Sequence, residues 1–271
     1  MKPIGPALVT GASRGIGRGV ALELANRGFD VVATMRDPTN AAELVTPTNA
    51  VGTIRVARLD VTEPGDFEMP SGLRVLVNNA GVEQANLPLE HTPIDHWRAM
   101  FETNVFGLVE VTKRAIPALR SMEGGVVCNI TSSSLLVPMP FFGVYRASKA
   151  AVSALGESLQ AELGRHGVRL VEVMPGPIDT DMLSASQPTP EAVQFDGYRE
   201  LAELVATARR ATIGDATSVR HAAGLIVDAI LDDDAPLRVA CDAMGEALLT
   251  AWSEAQGEAL LRSYLDGFST R

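Results

Sequence analysis

Seven short runs rich in β-branched and other apolar residues punctuate the chain, at 7–9, 31–34, 54–59, 73–77, 125–131, 168–174 and 237–241. Most are separated by stretches whose apolar residues return every three to four positions, the period of a helix with one buried face. Strands joined through helices run parallel, because each crossover returns the chain to the same end of the sheet. Parallel strands need cover on both faces, which accounts for runs that are nearly continuously apolar. The pattern predicts an α/β chain: a doubly wound, mainly parallel seven-stranded sheet with helices on both faces.

The stretches between the runs fit that scheme. Val20, Ala21, Leu24 and Ala25 fall on one face of a helix that Gly28 would stop. Residues 93–113 predict a longer helix with Trp97, Phe101, Val105 and Leu108 on its buried stripe and Asn104 among them. Residues 144–165 predict another, closed by Gly167. Two segments break the rhythm. Pro64, Gly65, Pro70 and Gly72 leave little room for a crossover helix at 60–74, so that layer should be thin. Residues 183–214 are polar at first and helical from 198 to 210, and read as a lid. With no repeat, low-complexity tract or shift in composition, residues 1–271 read as one domain.

At 271 residues and 46% hydrophobic, the chain is too apolar for disorder and long enough to hold a core without staples. A net charge of −10 is the wrong sign for a general nucleic-acid or anionic-membrane binder, so small molecules are the expected partners. Cys128 and Cys241 are too few for a disulfide framework and lack metal-ligand spacing, which points to a reducing compartment. His91, His96, His166 and His221 are scattered, and no metal is expected. The first residues carry no signal-like apolar core, and the longest apolar stretch, 135–144, holds two prolines and falls short of the ~20 residues of a membrane span. A cytoplasmic protein is expected.

Thr10-Gly11-Ala12-Ser13-Arg14-Gly15-Ile16-Gly17 follows the first run and opens a helix. Backbone N–H groups bared by glycine, together with the helix dipole, can meet a pyrophosphate there. The bland alternative is a structural turn, but the position is the one where such a sheet places a nucleotide crevice. An acid that would bind a ribose 2′-hydroxyl is expected at the end of the second run, where the chain reads Thr34-Met35-Arg36-Asp37. Arg36 and Arg14 could hold a 2′-phosphate, which favours NADP(H), while Asp37 keeps NAD(H) open. Asp60, at the end of the third run, could accept from an adenine amino group, cap the next turn, or do both.

Tyr145 and Lys149 stand four apart at the start of a helix and so share a face. A nearby cation lowers the pKa of a phenol and makes it a better proton donor and acceptor. Such a pair alone is mostly coincidence. Taken together, the glycine loop, Asn78-Asn79-Ala80-Gly81, Ser132, Tyr145-x3-Lys149 and Pro175-Gly176-Pro177-Ile178-Asp179-Thr180 resemble the short-chain dehydrogenase/reductase family over residues 7 to about 182. The resemblance implies a Rossmann fold and an oxidoreductase. It implies that Tyr145 is the general acid/base, that Lys149 binds the nicotinamide ribose and lowers the tyrosine pKa, and that Ser132 orients the substrate oxygen, with Ser133 or Ser134 taking that part if the register slips. Asn104 would hold a water of the proton relay. Gly11, Ser13, Arg14, Gly15, Ile16, Gly17, Arg36, Asp60, Val61, Asn79, Ala80 and Gly81 would hold the adenine half of the cofactor, and Pro175, Gly176, Ile178 and Thr180 the nicotinamide half. A homodimer or homotetramer is also implied, packed through the Asn104 and Tyr145 helices. The departure from the family is the short interval from Asp60 to Asn78.

Leu135, Leu136, Met139, Phe141 and Phe142, with Met182 and Leu183, predict an apolar pocket for a hydrophobic ketone or secondary alcohol, with Glu83 and Gln84 at its rim. No arginine stands in that stretch to pair an acidic substrate. A 3-oxoacyl-carrier-protein reductase is a second reading. Glu123 and the overall charge speak against the basic docking face it would need. A non-catalytic dinucleotide sensor is a third, and it would have no need of Ser132, Tyr145, Lys149 and Asn104 together.

Overall fold

In the computed structural model, which describes residues 1–41, 44, 49–122, 124–185 and 189–253, all seven apolar runs lie in one parallel sheet. The strands are β1 (Pro6–Val9), β2 (Asp30–Met35), β3 (Thr53–Arg58), β4 (Val75–Asn78), β5 (Val126–Ile130) and β6 (Arg169–Val173). After β7 (Ile178–Asp179) and β8 (Thr217–Ser218), which pair only with each other, β9 (Arg238–Val239) completes the sheet in the order β3-β2-β1-β4-β5-β6-β9. The chain winds outward from β1 in one direction and from β4 in the other. Their carboxyl ends therefore part into a crevice.

Side chains alternate between two cores, as the two-residue period of a strand requires. Ala7 and Val9 of β1, with Val75 and Val77 of β4, enter one core, while Leu8 and Leu76 between them enter the other. Helix α1 (Gly15–Arg27) covers the first face through Val20, Ala21, Leu24 and Ala25. Gly28 ends it in the left-handed region, its N–H donating to the carbonyls of Leu24 and Ala25.

The helix expected over 93–113 proves longer and broken. Helix α2 (Ile94–Phe101) runs into a π-helical turn at Glu102–Gly107 and continues as α3 (Leu108–Arg120), with Pro117 inside its last turns. The π turn shifts the stripe. Met100, Asn104, Gly107, Leu108, Val111, Ala115 and Leu119 are buried, whereas Trp97, Phe101 and Val105, expected on the stripe, are only half-buried. Helix α4 (Gly143–Gly164) packs against α2 and the π turn, and sends Leu159 and Leu163 into the second core.

Beyond β7 come the short α5 (Asp181–Ala185), then α6 (Arg199–Ile213), α7 (Val219–Leu231), which packs on α1, and α8 (Ala243–Ala251). Residues 60–74 contain turns and no helix, as the prolines and glycines there predict. Glu123, residues 186–188 of the segment read as a lid, and 254–271 of the expected domain lie outside the described residues. Among the described residues no helix is long and apolar enough to cross a membrane.

A buried carboxylate ties the last strands together. Glu172 of β6 accepts from the hydroxyls of Thr131 and Ser153, both at 2.9 Å, and from Arg238 Nε of β9 at 3.1 Å. With its oxygens satisfied, the charge can stand in the interior.

Candidate active site

The carboxyl ends of the central strands open onto a single cleft of about 460 Å³. The loop after β1 enters it first. Gly11 has φ +65° and Gly15 φ +55°, left-handed conformations that suit glycine. A side chain at Gly11 would also lie 2.8 Å from the Ala80 Cα, so the loop can rest against 79–81 only if it is bare there. Asn79 fastens the contact, donating from Nδ2 to the carbonyls of Thr10 (2.9 Å) and Gly11 (3.1 Å). Gly11, Ser13, Arg14, Gly15 and Ile16 line the cleft on one side, and Asn79, Ala80 and Gly81 on the other. Gly17 does not reach it. A Cβ there would stand 2.3 Å from Asn79 Nδ2, so this glycine packs the loop rather than touching a ligand.

The start of α1 faces the cleft with no side chain capping its N–H groups and no acid in its first turn. Donors left open beside a bare loop are what a pyrophosphate requires. At the end of β2, Met35 is buried where a ribose-binding acid would stand, and the exposed Arg36 beside it lines the cleft. The Arg14 guanidinium stands 3.9 Å from the carboxylate of Asp181. Asp37 does not line the cleft. Its Oδ1 accepts from the Thr39 N–H (3.0 Å) and hydroxyl (2.7 Å), which hold its carboxyl below the ordinary range. Asp60 accepts from the Thr62 N–H (3.0 Å) and hydroxyl (2.8 Å), yet it lines the cleft with Val61, so capping and lining coincide.

Pro175, Gly176, Ile178 and Thr180 form the opposite wall. Asp242 holds that wall in place. It caps α8 by accepting from the Gly245 N–H at 2.9 Å and accepts from the Gly176 N–H at 2.6 Å. A side chain at 176 would lie 2.4 Å from Asp242 Oδ1. Sequence reasoning missed this residue, though an aspartate just before a helical stretch is itself a capping signal.

Ser132, Tyr145 and Lys149 meet at the far end of the cleft. Ser132 begins a single turn after β5 and accepts from the Ser134 N–H at 3.2 Å, while its side chain shares a hydrogen bond with the Tyr145 phenol. Ser132, Ser133 and Ser134 all line the cleft, and Ser132 is the one whose side chain bears on the phenol. Lys149 is 7% exposed and donates from Nζ to the Ile130 carbonyl at 2.8 Å. Desolvation pushes its pKa down to about 8. Its Nζ lies 5.8 Å from the centre of the Tyr145 ring. The phenol itself stands above its ordinary range, raised by burial and by the charge of Glu83 and opposed only by Ser132. The Lys149 ammonium lies over the ring and bonds a carbonyl.

Asn104 is buried behind the cleft, not in its lining. Its Oδ1 accepts from the Val82 N–H (2.8 Å), and its Nδ2 donates to the Val82 carbonyl (3.0 Å) and the Ser148 hydroxyl (3.1 Å). The amide thus clamps the 79–82 segment to α4. Glycine at 81 leaves a gap beside it, since a Cβ there would lie 3.3 Å from Asn104 Oδ1 and 3.6 Å from Lys149 Nζ.

Met139, Phe142, Met182 and Leu183 supply apolar wall, joined by Val137, Met244 and Leu248. Leu135, Leu136, Phe141 and Gln84 are not in the lining. Leu136 is buried, and Phe141, at φ +72°, meets the Tyr198 ring edge-on at 6.1 Å. Glu83 lines the cleft together with Arg209, an arginine that the stretch between Ser132 and Tyr145 could not disclose because α6 delivers it. Cys128 is fully buried, and its thiol, pushed up to about 12, is no nucleophile. Among the described residues no three His, Cys, Asp or Glu side chains gather as metal ligands would.

A family model described as short chain dehydrogenase matches residues 6–191. The chain is 37% identical over 190 residues to an uncharacterized oxidoreductase, YusZ, of Bacillus subtilis (strain 168), covering 66% of this chain and 67% of that one. It is 33% identical over 184 residues to 11-beta-hydroxysteroid dehydrogenase type 2 of Homo sapiens, covering 64% of this chain and 45% of the relative. Among solved structures, a short chain dehydrogenase from Burkholderia cenocepacia J2315 in complex with NADP superposes with a TM-score of 0.71 at 27% identity, covering 96% of this chain and 99% of that one.

Proposed function

From the premise that this chain belongs to the short-chain dehydrogenase/reductase family, we propose that it is an NADP(H)-dependent oxidoreductase acting between the carbonyl and the secondary alcohol of a hydrophobic small molecule. The observation that carries the reading is the meeting of Ser132, Tyr145 and Lys149 at one end of a cleft whose other end is the bare glycine loop. NADP(H), when bound, supplies or takes up the hydride.

The protein's own groups handle the proton and the geometry. Tyr145 gives its proton to the carbonyl oxygen in reduction and takes it back in oxidation. Burial and Glu83 keep the phenol protonated, the state an acid needs. Ser132, already bonded to the phenol, points a second hydroxyl at the substrate oxygen and polarises it. Lys149 holds ribose hydroxyls, and the gap that Gly81 leaves between Lys149 and Asn104 suits a water that refills Tyr145. Asn104 acts by clamping that gap's walls.

The cofactor preference rests on the end of β2. Met35 offers no acid for a ribose 2′-hydroxyl, Asp37 is bound to Thr39, and Arg36 and Arg14 stand at the cleft where a 2′-phosphate would lie. The similarity to a dehydrogenase in complex with NADP supports the same choice. Residues 183–214 act as the lid, bringing Leu183 and α6 to join Met182 over an apolar substrate in a cytoplasmic enzyme. Incubation with NADPH carrying deuterium at both positions of nicotinamide C4 and a hydrophobic ketone such as acetophenone should place deuterium on the carbinol carbon. Deuterium found only in solvent, or a label-free alcohol, would contradict hydride transfer.

A further inference from the structure

The chain between Ser132 and Tyr145 is closed at its neck by side chains of helix α4. Residues 136–142 form neither helix nor strand, hold Pro138 and Pro140, and put Phe141 at φ +72°. Such a stretch does not by itself fix the distance between the groups at its two ends. Val137, Met139 and Phe142 of this stretch line the cleft, so it is also a wall that a substrate presses on. Helix α4 grips the chain on both sides of Ser132. Lys149 donates to the Ile130 carbonyl before it, at 2.8 Å. After it, Arg146 donates from Nε to the Ser134 carbonyl at 2.6 Å and from Nη2 to the Leu135 carbonyl at 3.4 Å. Ser132 is thus bracketed by two cations of the helix that carries Tyr145.

The arginine suits its task. The bonds of the single turn Ser133–Leu135 run from the Leu135 and Leu136 N–H groups to the carbonyls of Ser132 and Ser133, and leave the carbonyls of Ser134 and Leu135 to a donor from elsewhere. A planar guanidinium presents two N–H groups at a fixed spacing, whereas an ammonium is a point charge on a flexible stem. Residue 146 is turned ~100° around the helix from Tyr145 and lines a separate hollow with Leu135 and Ala150. It does not line the cleft. Resting on the assignment of Tyr145 and Ser132 to the reaction, we propose that Arg146 is a positioning residue: its fork clasps the Ser134 and Leu135 carbonyls to α4 and so keeps the Ser132 hydroxyl beside the Tyr145 phenol while residues 136–142 yield to the substrate. The bond from the Ser134 N–H to the Ser132 hydroxyl, 3.2 Å, carries the restraint to the serine itself. The turn's other anchor, from the Ser133 N–H to the Pro175 carbonyl at 2.8 Å, ties it to the opposite wall and not to α4.

The test reads the Tyr145 ring by NMR of the intact protein with ¹³C-labelled tyrosine, where the shift of the ζ carbon follows hydrogen bonding at the phenol. Three tyrosines are present, and Tyr145→Phe assigns the resonance. Ser132→Ala should move it, Arg146→Met should move it in the same direction, and Arg146→Met should add nothing in the Ser132→Ala background. Arg146→Lys should fall between Arg146→Met and wild type. In ketone reduction with NADPH, Arg146→Met should lower kcat by about tenfold, with no further loss once Ser132 is alanine, and leave NADPH binding unchanged. The proposal is overturned if either Ser132→Ala or Arg146→Met leaves the resonance at its wild-type position. It is equally overturned if Arg146→Met has the same effect without the Ser132 hydroxyl as with it, because the arginine then serves the fold at large. Should Arg146→Met fail to fold, Arg146→Lys answers to the same criteria at a smaller amplitude. The resonance needs no turnover. A Tyr145→Phe variant that still reduces ketones would sink the proposed function and leave the clasp standing.

Discussion

A lysine in an apolar setting is a liability that the fold carries for the sake of the site. Lys149 is held with a pKa of about 8, whereas an unfolded chain returns it to ~10.4. Between those values the unfolded state binds more protons, so its contribution to stability rises with pH there, and the full penalty applies below about pH 8. At neutral pH the penalty is on the order of 3 kcal/mol. Lys149→Met should therefore melt higher than wild type at pH 7, with the gap closing toward pH 10, while losing activity. A variant that melts lower at pH 7 would show that the Ile130 hydrogen bond outweighs desolvation. Arg36 invites a separate prediction. Arg36→Ala should weaken NADPH binding by tenfold or more and change NADH binding little, as cofactor fluorescence titration reads, and equal losses for both would place the arginine away from a 2′-phosphate. Tyr145, Lys149 and Ser132 could be singled out because the whole set of motifs resembles a family; the four-residue spacing alone is mostly coincidence, and it left Ser133 and Ser134 open. Arg209 and Asp242 were not singled out, since Arg209 reaches the cleft, and Asp242 the Gly176 N–H of its wall, from more than 60 residues beyond Tyr145, and only the folded chain sets them there.

At the level of elements, the glycine loop and the π turn are the two departures from regular structure that shape the cleft. Gly17→Ala would put a methyl 2.3 Å from Asn79 Nδ2 and 2.5 Å from the Gly11 carbonyl, so the loop must move off the 79–81 segment. We expect a loss of about 1–3 kcal/mol in chemical denaturation and weaker cofactor binding. Gly224→Ala is the natural control. Nothing lies within 4 Å of its Cβ on α7, and the change should stabilise by about 0.5–1 kcal/mol through helix propensity. If both variants behave alike, close packing is not what glycine provides at position 17. The strands themselves were readable as short apolar runs, buried on two faces in the middle of the sheet and only partly covered in β3 and β9 at its edges. The long helix was only half readable. Its periodicity counts 3.6 residues per turn throughout, whereas the π turn at Glu102–Gly107 resets the phase, moving Asn104 fully inside and leaving Trp97 and Phe101 at the margin.

Across the whole molecule, the helices on the side of Asn104 and Tyr145 leave large apolar groups outside. Phe106 is 57% exposed and Ile94 61%. A second subunit packed on these helices, as in the dimer or tetramer that the family resemblance implies, would cover them. Phe106→Glu should then reduce the mass read by light scattering toward that of one chain, and a wild type already monomeric would contradict the oligomer. Of residues 189–213, Arg209 and Thr212 line the cleft, while Phe195 stacks on His91 at 3.8 Å and the Tyr198 hydroxyl donates to Glu90 at 2.6 Å. The account as a whole stands on one acid/base working beside one cofactor. The most direct measurement is the rate of NADPH and NADH oxidation by wild type and Tyr145→Phe, over a panel of aliphatic, aromatic and steroid-like ketones with one acyl thioester. The account predicts turnover of hydrophobic ketones, faster with NADPH, falling by at least a thousandfold in the variant while NADPH still binds. Undiminished turnover in Tyr145→Phe would contradict it.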